Sequence, residues 1–396
     1  MPTTQSQSRF GINLFGSVTT KDGIGRAALL NAQALQIAQV PVEIYPLARP
    51  FAIQASHTEI TPEITDELLQ RVAYGINLCQ FSSRWTETYW AGVSPEQRAR
   101  FYNIGFWFCE VPEIPESWAQ NLRFYDEIWT ASAFCQNAIA RVSTCPVLSF
   151  PLPFEPFIED TCTKRPAPAP LRFLFVSNCY SDAERKNALG TLRAFRSAFG
   201  ACLDVQLTLK LSNLEYAPRL EAALRCELEG VHNVTLETGY VSDNDIATLY
   251  YSHHIYVSLH RAEGYGLTIS DALRYGMPVI CTGYSGNMEF CHMPGVQLVD
   301  YELRRIGHER LRYLADHIWA YPKPDSAISA FRHMATHYET ERRAACASAQ
   351  TLAKRLSMGS IGEMMHRRLD LIHRRFAYRN DMASREIVRD FDIYDA

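Results

Sequence analysis

The stretch Tyr256–Phe290, YVSLHRAEGYGLTISDALRYGMPVICTGYSGNMEF, decides the reading of this chain. Ile255–Ser258 is a short apolar strand, and Leu259–Gly266 is a glycine-punctuated loop. The pattern then predicts a helix over Leu267–Tyr275, stopped by Gly276 with Pro278 just beyond. A second buried strand is expected at Pro278–Cys281. The loop therefore delivers one acid, Glu263, to the start of a helix, and a second acid, Asp271, lies about one turn inside it. Unpaired backbone N–H groups and the positive end of the helix dipole, over Gly266–Ile269 with Leu267 the first helical residue, form an anion seat. Gly264 and Gly266, flanking Tyr265, remove Cβ bulk so that a phosphate can approach. An anion seat beside two acids suits a ligand that carries both phosphate and hydroxyls, such as a nucleotide-sugar.

The surrounding chain alternates strands and helices. The first half reads as strands at Arg9–Phe15, Val42–Tyr45, Tyr74–Phe81, Asn103–Phe108 and Glu127–Thr130. Helices are expected over Ile24–Ala38, with apolar residues at 27, 30, 34 and 37, and from Ser132 to near Val142. A proline-rich run, Pro151–Pro156, followed by PAPAP at 166–170, reads as a linker. The alternation then restarts, with strands at Leu171–Val176, Val205–Lys210 and Val234–Glu237 and helices over 187–199, 216–228 and 243–251. Such alternation implies parallel sheets, and two blocks of it imply two Rossmann-like domains facing a ligand cleft. The expected divisions are 1–155, 156–360 and a C-terminal helix with tail, 361–396. Ile361, Met365, Leu369, Ile372 and Phe376 give that helix an apolar stripe. Its charged face, His366-Arg367-Arg368 and His373-Arg374-Arg375, reads as a solvated face, and contact with anionic lipid is the second reading.

Composition narrows the class. The 396 residues are 47% hydrophobic, ample for two cores, and the net charge of −4 supplies no basic field for nucleic acid. The 11 cysteines never pair as CxxC, which predicts reduced thiols in a cytoplasmic protein. No apolar run approaches the ~18 residues of a membrane span, and the polar start MPTTQSQSRF lacks the apolar core of a signal peptide.

The segment Glu263-Gly-Tyr-Gly-Leu with Asp271 and the following Pro278-Val-Ile resembles the acid-x7-acid signature of retaining glycosyltransferases of the family-4 type, the glycosyl transferases group 1. The likeness continues through Cys281–Glu289. Upstream, Phe173–Phe195 resembles the strand-loop-helix that carries the family's phosphate-binding lysine, and Gly239–Ser242 resembles its base-binding turn. The family usually has Glu as the second acid; Asp271 is one methylene shorter.

The resemblance implies an α/β GT-B fold, with two Rossmann-like domains and a last helix that crosses back to the first. It implies transfer of a hexose from a nucleoside-diphosphate sugar to an acceptor hydroxyl on a glycan, a lipid-linked carrier or a small molecule. Lys186 would neutralise the departing diphosphate. The family usually adds an Arg directly after the preceding strand; Asn178 stands near that place, leaving Arg185 or Lys210 as the second cation. Glu263 would hold sugar hydroxyls and Asp271 the ribose, with Tyr240 and Val241 at the base and His260 and Arg261 in reach of the phosphates. Backbone donors of Ser285, Gly286 and Asn287 would cap phosphate or sugar. Gly25, in the loop Lys21–Arg26, would face the phosphate from the first domain, although a tight turn without ligand reads the same way. The family's usual acceptor-side His is absent, and Glu110 is the polar group expected there.

Asp243-Asn244-Asp245 and Asp390-Phe391-Asp392 match a DxD metal triplet literally, but the first reads as a helix cap and the second lies in the tail. Neither metal nor cofactor is expected. The rival readings are a nucleotide-sugar epimerase and a non-catalytic nucleotide-sugar-binding or scaffold protein.

Overall fold

The computed structural model describes residues 9–20, 22–48, 63–155, 170–239, 242–309 and 313–391. Strands β1 (Ile12–Gly16), β2 (Val42–Pro46), β3 (Ile76–Gln80), β4 (Tyr102–Trp107), β5 (Glu127–Thr130) and β6 (Val147–Ser149) form one sheet, ordered β2-β1-β3-β4-β5-β6. Strands β7 (Leu171–Asn178), β8 (Val205–Ser212), β9 (Val234–Thr238), β10 (Ile255–Ser258), β11 (Val279–Thr282) and β12 (Val296–Val299) form a second, ordered β12-β11-β10-β7-β8-β9. Every pairing in both sheets is parallel. Two such sheets with covering helices are the GT-B fold. A small antiparallel hairpin, β13 (Tyr301–Arg305) with β14 (Ile318–Pro322), follows the second sheet. Its Trp319, with Tyr313, packs onto Val111 and Ala262.

The strand orders fix where a ligand can sit. The first sheet reverses direction between β1 and β3, and the second between β10 and β7. Open α/β sheets bind ligands in the crevice at the carboxyl ends of strands at such a reversal. The loops leaving β1, β7 and β10 are those that carry Asp22–Arg26, Arg185–Lys186 and Glu263.

Helices cover the sheets. Those used below are α1 (Gly23–Ile37), α2 (Ala133–Ala140), α3 (Ala183–Lys186), α4 (Ala188–Phe199), α5 (Asp243–Ser252), α6 (Leu267–Arg274), α7 (Tyr338–Arg355) and α8 (Met358–Phe391). One apolar cluster runs from β1, β3 and α1 through α6 and β11 and along α8, so the two sheets share a core. The expected stripe Ile361, Met365, Leu369, Ile372 and Phe376 is buried. Each such side chain stabilises by roughly 1.5–3 kcal/mol on burial. Gly362 lets α8 close on α1, because a Cβ there would stand 2.0 Å from the Ala34 carbonyl oxygen. The last helix thus crosses back onto the first sheet's layer.

Three expectations are corrected. The proline-rich run is not loose over its described part: Leu152 and Phe154 are buried, and the Phe154 N–H donates to Leu356 O at 2.7 Å. Apolar residues alternating with prolines give that segment an inward face. The basic face of α8 is not wholly solvated either. Arg368 forms an ion pair with Glu127, which is 0% exposed, and His366 lies against Phe10. Among the described residues nine cysteines are free thiols, but Cys346 is disulfide-bonded, so the expectation of reduced thiols fails there.

The Ser242 side chain caps α5, and Asp245 returns the contact as a capping box, so the cap of the first DxD triplet precedes it. The tail triplet lies outside the described side chains. No helix is long and apolar enough to cross a membrane among the described residues.

Candidate active site

β7 ends at Asn178, and the chain turns sharply into α3. Asp182 makes the turn at φ 82°, ψ 96°, and its carboxylate accepts from the N–H groups of Glu184 and Arg185. Asn187 closes the helix in the left-handed region, φ 61°, and α4 begins immediately. One short turn of helix, pinned at both ends, therefore presents Arg185 and Lys186 toward the loop after β10. The Lys186 ammonium forms an ion pair with Glu263 Oε1, and Arg185 Nη1 lies 3.3 Å from Glu263 Oε2. Arg185 also donates to the carbonyls of Ala262 at 2.6 Å and Ser181 at 3.0 Å. Its other ion-pair partner comes from the first sheet: Glu110 Oε1 is 3.6 Å from Nη2, and Glu110 Oε2 accepts from the Tyr313 hydroxyl at 3.0 Å.

These charges are out of water, with side-chain exposures of 2% for Arg185, 15% for Lys186 and 8% for Glu263. Burial alone would raise the Glu263 carboxyl, but Lys186 and Arg185 overcome it and hold it down at about 2. Burial pulls the Lys186 ammonium below its ordinary value, against the attraction of Glu263. The Arg185 guanidinium is held up by Glu110 and Glu263 against its own burial. Lys186 and Arg185 are balanced by Glu263 and Glu110, so the cluster offers an anion two fixed, buried cationic donors and no surplus of charge.

The Glu263 backbone is fixed as firmly as its side chain. Its N–H donates to Ser285 Oγ at 2.7 Å, and its carbonyl accepts from the Gly286 N–H at 2.8 Å. Ser285 holds φ 78°, ψ −150°, a region that costs a non-glycine residue on the order of 1–3 kcal/mol. Gly286 is required by close approach, since a Cβ would stand 2.1 Å from Gly264 O. Gly266 opens α6 in the left-handed region at φ 95°, with no side-chain cap. The Ile269 N–H already donates to Gly266 O at 3.0 Å, so the amides that this helix start offers an anion are those of Leu267 and Thr268.

The first sheet reaches this seat at three points. Gly23 abuts Leu267, at 3.5 Å from its glycine Cβ position to the leucine Cδ1. Arg26 forms a two-pronged ion pair with Asp271. The Ser132 hydroxyl, which caps α2, donates to Gly264 O at 2.8 Å.

Several predicted side chains do other work than expected. His260 is fully buried, its Nδ1 3.0 Å from Ser258 Oγ and its Nε2 3.0 Å from Asn287 Oδ1. Burial holds it below the usual imidazole value, and its ring braces the loop instead of reaching phosphates. Asn287 is likewise buried and donates to Thr282 O at 3.1 Å. Tyr265 is buried against Phe290, its hydroxyl donating to Leu152 O at 3.0 Å, so it ties the loop to the first sheet's side. The Gly286 N–H is taken by Glu263 O and does not face a ligand. Lys210 donates to Gly239 O at 2.9 Å and bracing of that turn is its role; Arg185, not Lys210, is the second cation at Glu263. Gly25 is dictated by packing, since a Cβ would stand 2.4 Å from Ser17 O. Tyr240 and Val241 lie outside the described residues. Arg26, Arg274, Ser132 and Tyr313 escaped the sequence reading; only Arg26, next to Gly25, carried a signal.

A cavity of about 1030 Å³ opens on the other side of α3, lined by Tyr180, Glu184, Arg193, Tyr216, Arg261 and His308 among others. Of the residues predicted to reach the ligand, Arg261 lines it. Glu184 there is tied up by an ion pair with Arg261.

Residues 219–294 match the glycosyl transferases group 1 family. None of the curated proteins matches the chain in sequence. Among solved structures, sucrose-phosphate synthase from Thermosynechococcus elongatus is similar at 16% identity and a TM-score of 0.63, over 95% of this chain and 100% of that one. HepE from Anabaena, in complex with UDP and glucose, is similar at 13% identity and a TM-score of 0.60, over 91% and 100%. A glycosyltransferase from Rickettsia africae is similar at 12% identity and a TM-score of 0.64, over 93% and 99%.

Proposed function

We propose that this chain is a retaining glycosyltransferase that moves a hexose from a nucleoside-diphosphate sugar to an acceptor hydroxyl of a glycan, lipid-linked carrier or small molecule. The observation that carries the reading is the buried cluster of Lys186, Arg185 and Glu263 beside the uncapped start of α6. Its cations suit a departing diphosphate and its carboxylate suits sugar hydroxyls. The donor would lie in the crevice with its diphosphate against Lys186, Arg185 and the α6 amides. The acceptor oxygen would attack the anomeric carbon from the face on which the diphosphate leaves. The anomeric C–O bond to the diphosphate breaks, and a diphosphate oxygen takes the acceptor proton. That route asks for no protein base, in keeping with the lack of a His around Glu110. Charge stabilisation by fixed cations is worth most in such a water-poor site. Lys186 and the helix amides take the place of a metal ion, so the reaction is proposed to need none. The family match at 219–294 supports this reading. The UDP and glucose bound by Anabaena HepE make UDP-glucose the first donor to try.

Incubation with UDP-, GDP- and ADP-sugars, followed by chromatography of the released nucleotide, tests it. Slow release of one nucleoside diphosphate is expected even without acceptor. Binding without any release would move the chain to the non-catalytic reading, and neither binding nor release would remove the donor site altogether.

A further inference from the structure

Asp271, which the family resemblance places at the ribose, is held by partners within the protein. Two guanidiniums hold it, and they differ. Arg274, one turn along α6, lies 3.3 Å from Asp271 Oδ1, is 14% exposed, and is pinned by its Nε donating to Glu155 O at 2.6 Å. Arg26 comes from the first sheet's side and is 40% exposed, and among the described residues its guanidinium hydrogen bonds go only to Asp271. Arg26 lies on the first turn of α1, whose start is held by Asp22 accepting from Ile24 and Gly25. That same turn abuts Leu267, the first residue after the uncapped end of α6. A guanidinium released from Asp271 is therefore already beside the anion seat.

We infer that Arg26 and Asp271 form an exchangeable pair, in which the ribose hydroxyls of the donor replace the guanidinium on Asp271 and the guanidinium turns to the diphosphate. The inference rests on the donor reading of the same site. Its physical content is a swap between two strong acceptors. Arg26 gives up a carboxylate and gains a diphosphate, which a planar fork of N–H donors fits equally well. Asp271 gives up a cation and gains two hydroxyl donors, while Arg274 stays as its fixed counter-charge. The two halves of the ligand are thereby coupled: a nucleoside must displace Arg26 with nothing to offer it, whereas a nucleoside diphosphate supplies its new partner. The Arg26–Asp271 pair thereby disfavours nucleosides and admits their diphosphates.

The coupling predicts effects of opposite sign. The experiment measures affinities of UDP, GDP and ADP by calorimetry, and of uridine, guanosine and adenosine by ligand-observed NMR, for the full chain and for Arg26→Ala. With the base that the unaltered protein binds, Arg26→Ala should weaken the diphosphate by about tenfold or more, the scale of a lost charge-assisted contact. It should tighten the nucleoside, because the competitor for Asp271 is gone. If Arg26 only held the two sheets together, both ligands would weaken, and that outcome overturns the inference. Equal affinities for both proteins overturn it too. Should Arg26→Ala fail to fold, Arg26→Lys takes its place and should give the same two signs in smaller measure; both ligands weakened overturns the inference there as well. Failure of the unaltered protein to bind any of the three diphosphates sinks the donor reading itself, a result separate from a same-sign shift.

Discussion

The two acids of one short segment are built in different ways. Glu263 draws both cations, Arg185 and Lys186, from α3 of its own sheet's layer, and all three side chains are at most 15% exposed. Asp271 draws one cation, Arg274, from its own helix and the other, Arg26, from across the gap, and Arg26 is 40% exposed. Glu263 thus takes both of its direct cations from one folded unit, and the first sheet enters only one step back, through Glu110 on Arg185. Asp271 is set by how the two layers meet. The difference teaches that the sugar-side charge cluster is a fixed feature of the fold, while the ribose-side acid reports on closure. Asp271 is itself only 8% exposed, as Glu263 is, so what differs is the partner: Arg26 can reach water when it lets go, whereas Arg185 cannot.

The largest effect should follow from emptying the buried cluster. Glu263→Ala leaves Arg185 and Lys186 facing each other without their shared carboxylate, and unpaired buried charge costs roughly 3–5 kcal/mol of stability. Denaturant unfolding should show that loss together with a collapse of kcat. A loss under about 1 kcal/mol would mean the cluster is wetter than described. The same carboxyl has a pH signature. Held down at about 2 from an ordinary 4.5, it contributes stability that is complete above about 4.5 and disappears as pH falls toward 2. Glu263→Gln should flatten this part of the acid-unfolding curve; an unchanged curve would assign the acid sensitivity elsewhere.

Next in size is Lys186→Ala. It removes the proposed leaving-group cation while Arg185 still pairs with Glu263, so the fold should hold. The expected cost is roughly 2–4 kcal/mol of transition-state stabilisation, read as kcat/KM. A value within about threefold of the unaltered enzyme breaks the assignment.

The contrast also explains what could be read from the sequence. Strand β10, the Gly276 stop and the stripe on α8 were legible because period and punctuation are local. Lys186 and Glu263 were legible as residues through the resemblance, although 77 positions apart, but their ion pair was not. Arg26 with Asp271, 245 positions apart, left no mark beyond a glycine neighbour, because pairing across two sheets depends on their docking. The motif assigns His260 to the phosphates, and it also holds the Tyr265 and Asn287 side chains. Burial turned them inward, and burial is decided by packing partners such as Leu152 and Phe290. Hairpin β13–β14 went unread because Tyr301–Arg305 is a mostly polar strand with four exposed residues, and it gives little apolar alternation.

The smaller predictions concern Asp271 and test whether the looser site tolerates change. Asp271→Ala should weaken nucleoside diphosphate binding by about 1–3 kcal/mol, the scale of charged hydrogen bonds to hydroxyls, with little loss of fold because Arg26 can turn to water. Calorimetry measures it, and an unchanged affinity would remove the ribose from this acid. The finest test moves a single methylene in each acid. Asp271→Glu lengthens an acid whose cross-gap partner is a long, 40% exposed side chain, so Arg26 can retreat and keep the pair. The expected change in nucleotide affinity is under about 1 kcal/mol, as for other substitutions in accommodating surroundings. Glu263→Asp makes the reverse change where nothing can follow. Arg185 is anchored to the Ala262 and Ser181 carbonyls, and the Glu263 backbone is clamped by Ser285 and Gly286. The shortened carboxylate would be drawn back from Lys186, and turnover should fall by at least tenfold while free-nucleotide affinity barely moves. Equal tolerance at both acids would erase the distinction between a fixed cluster and a closure-dependent one.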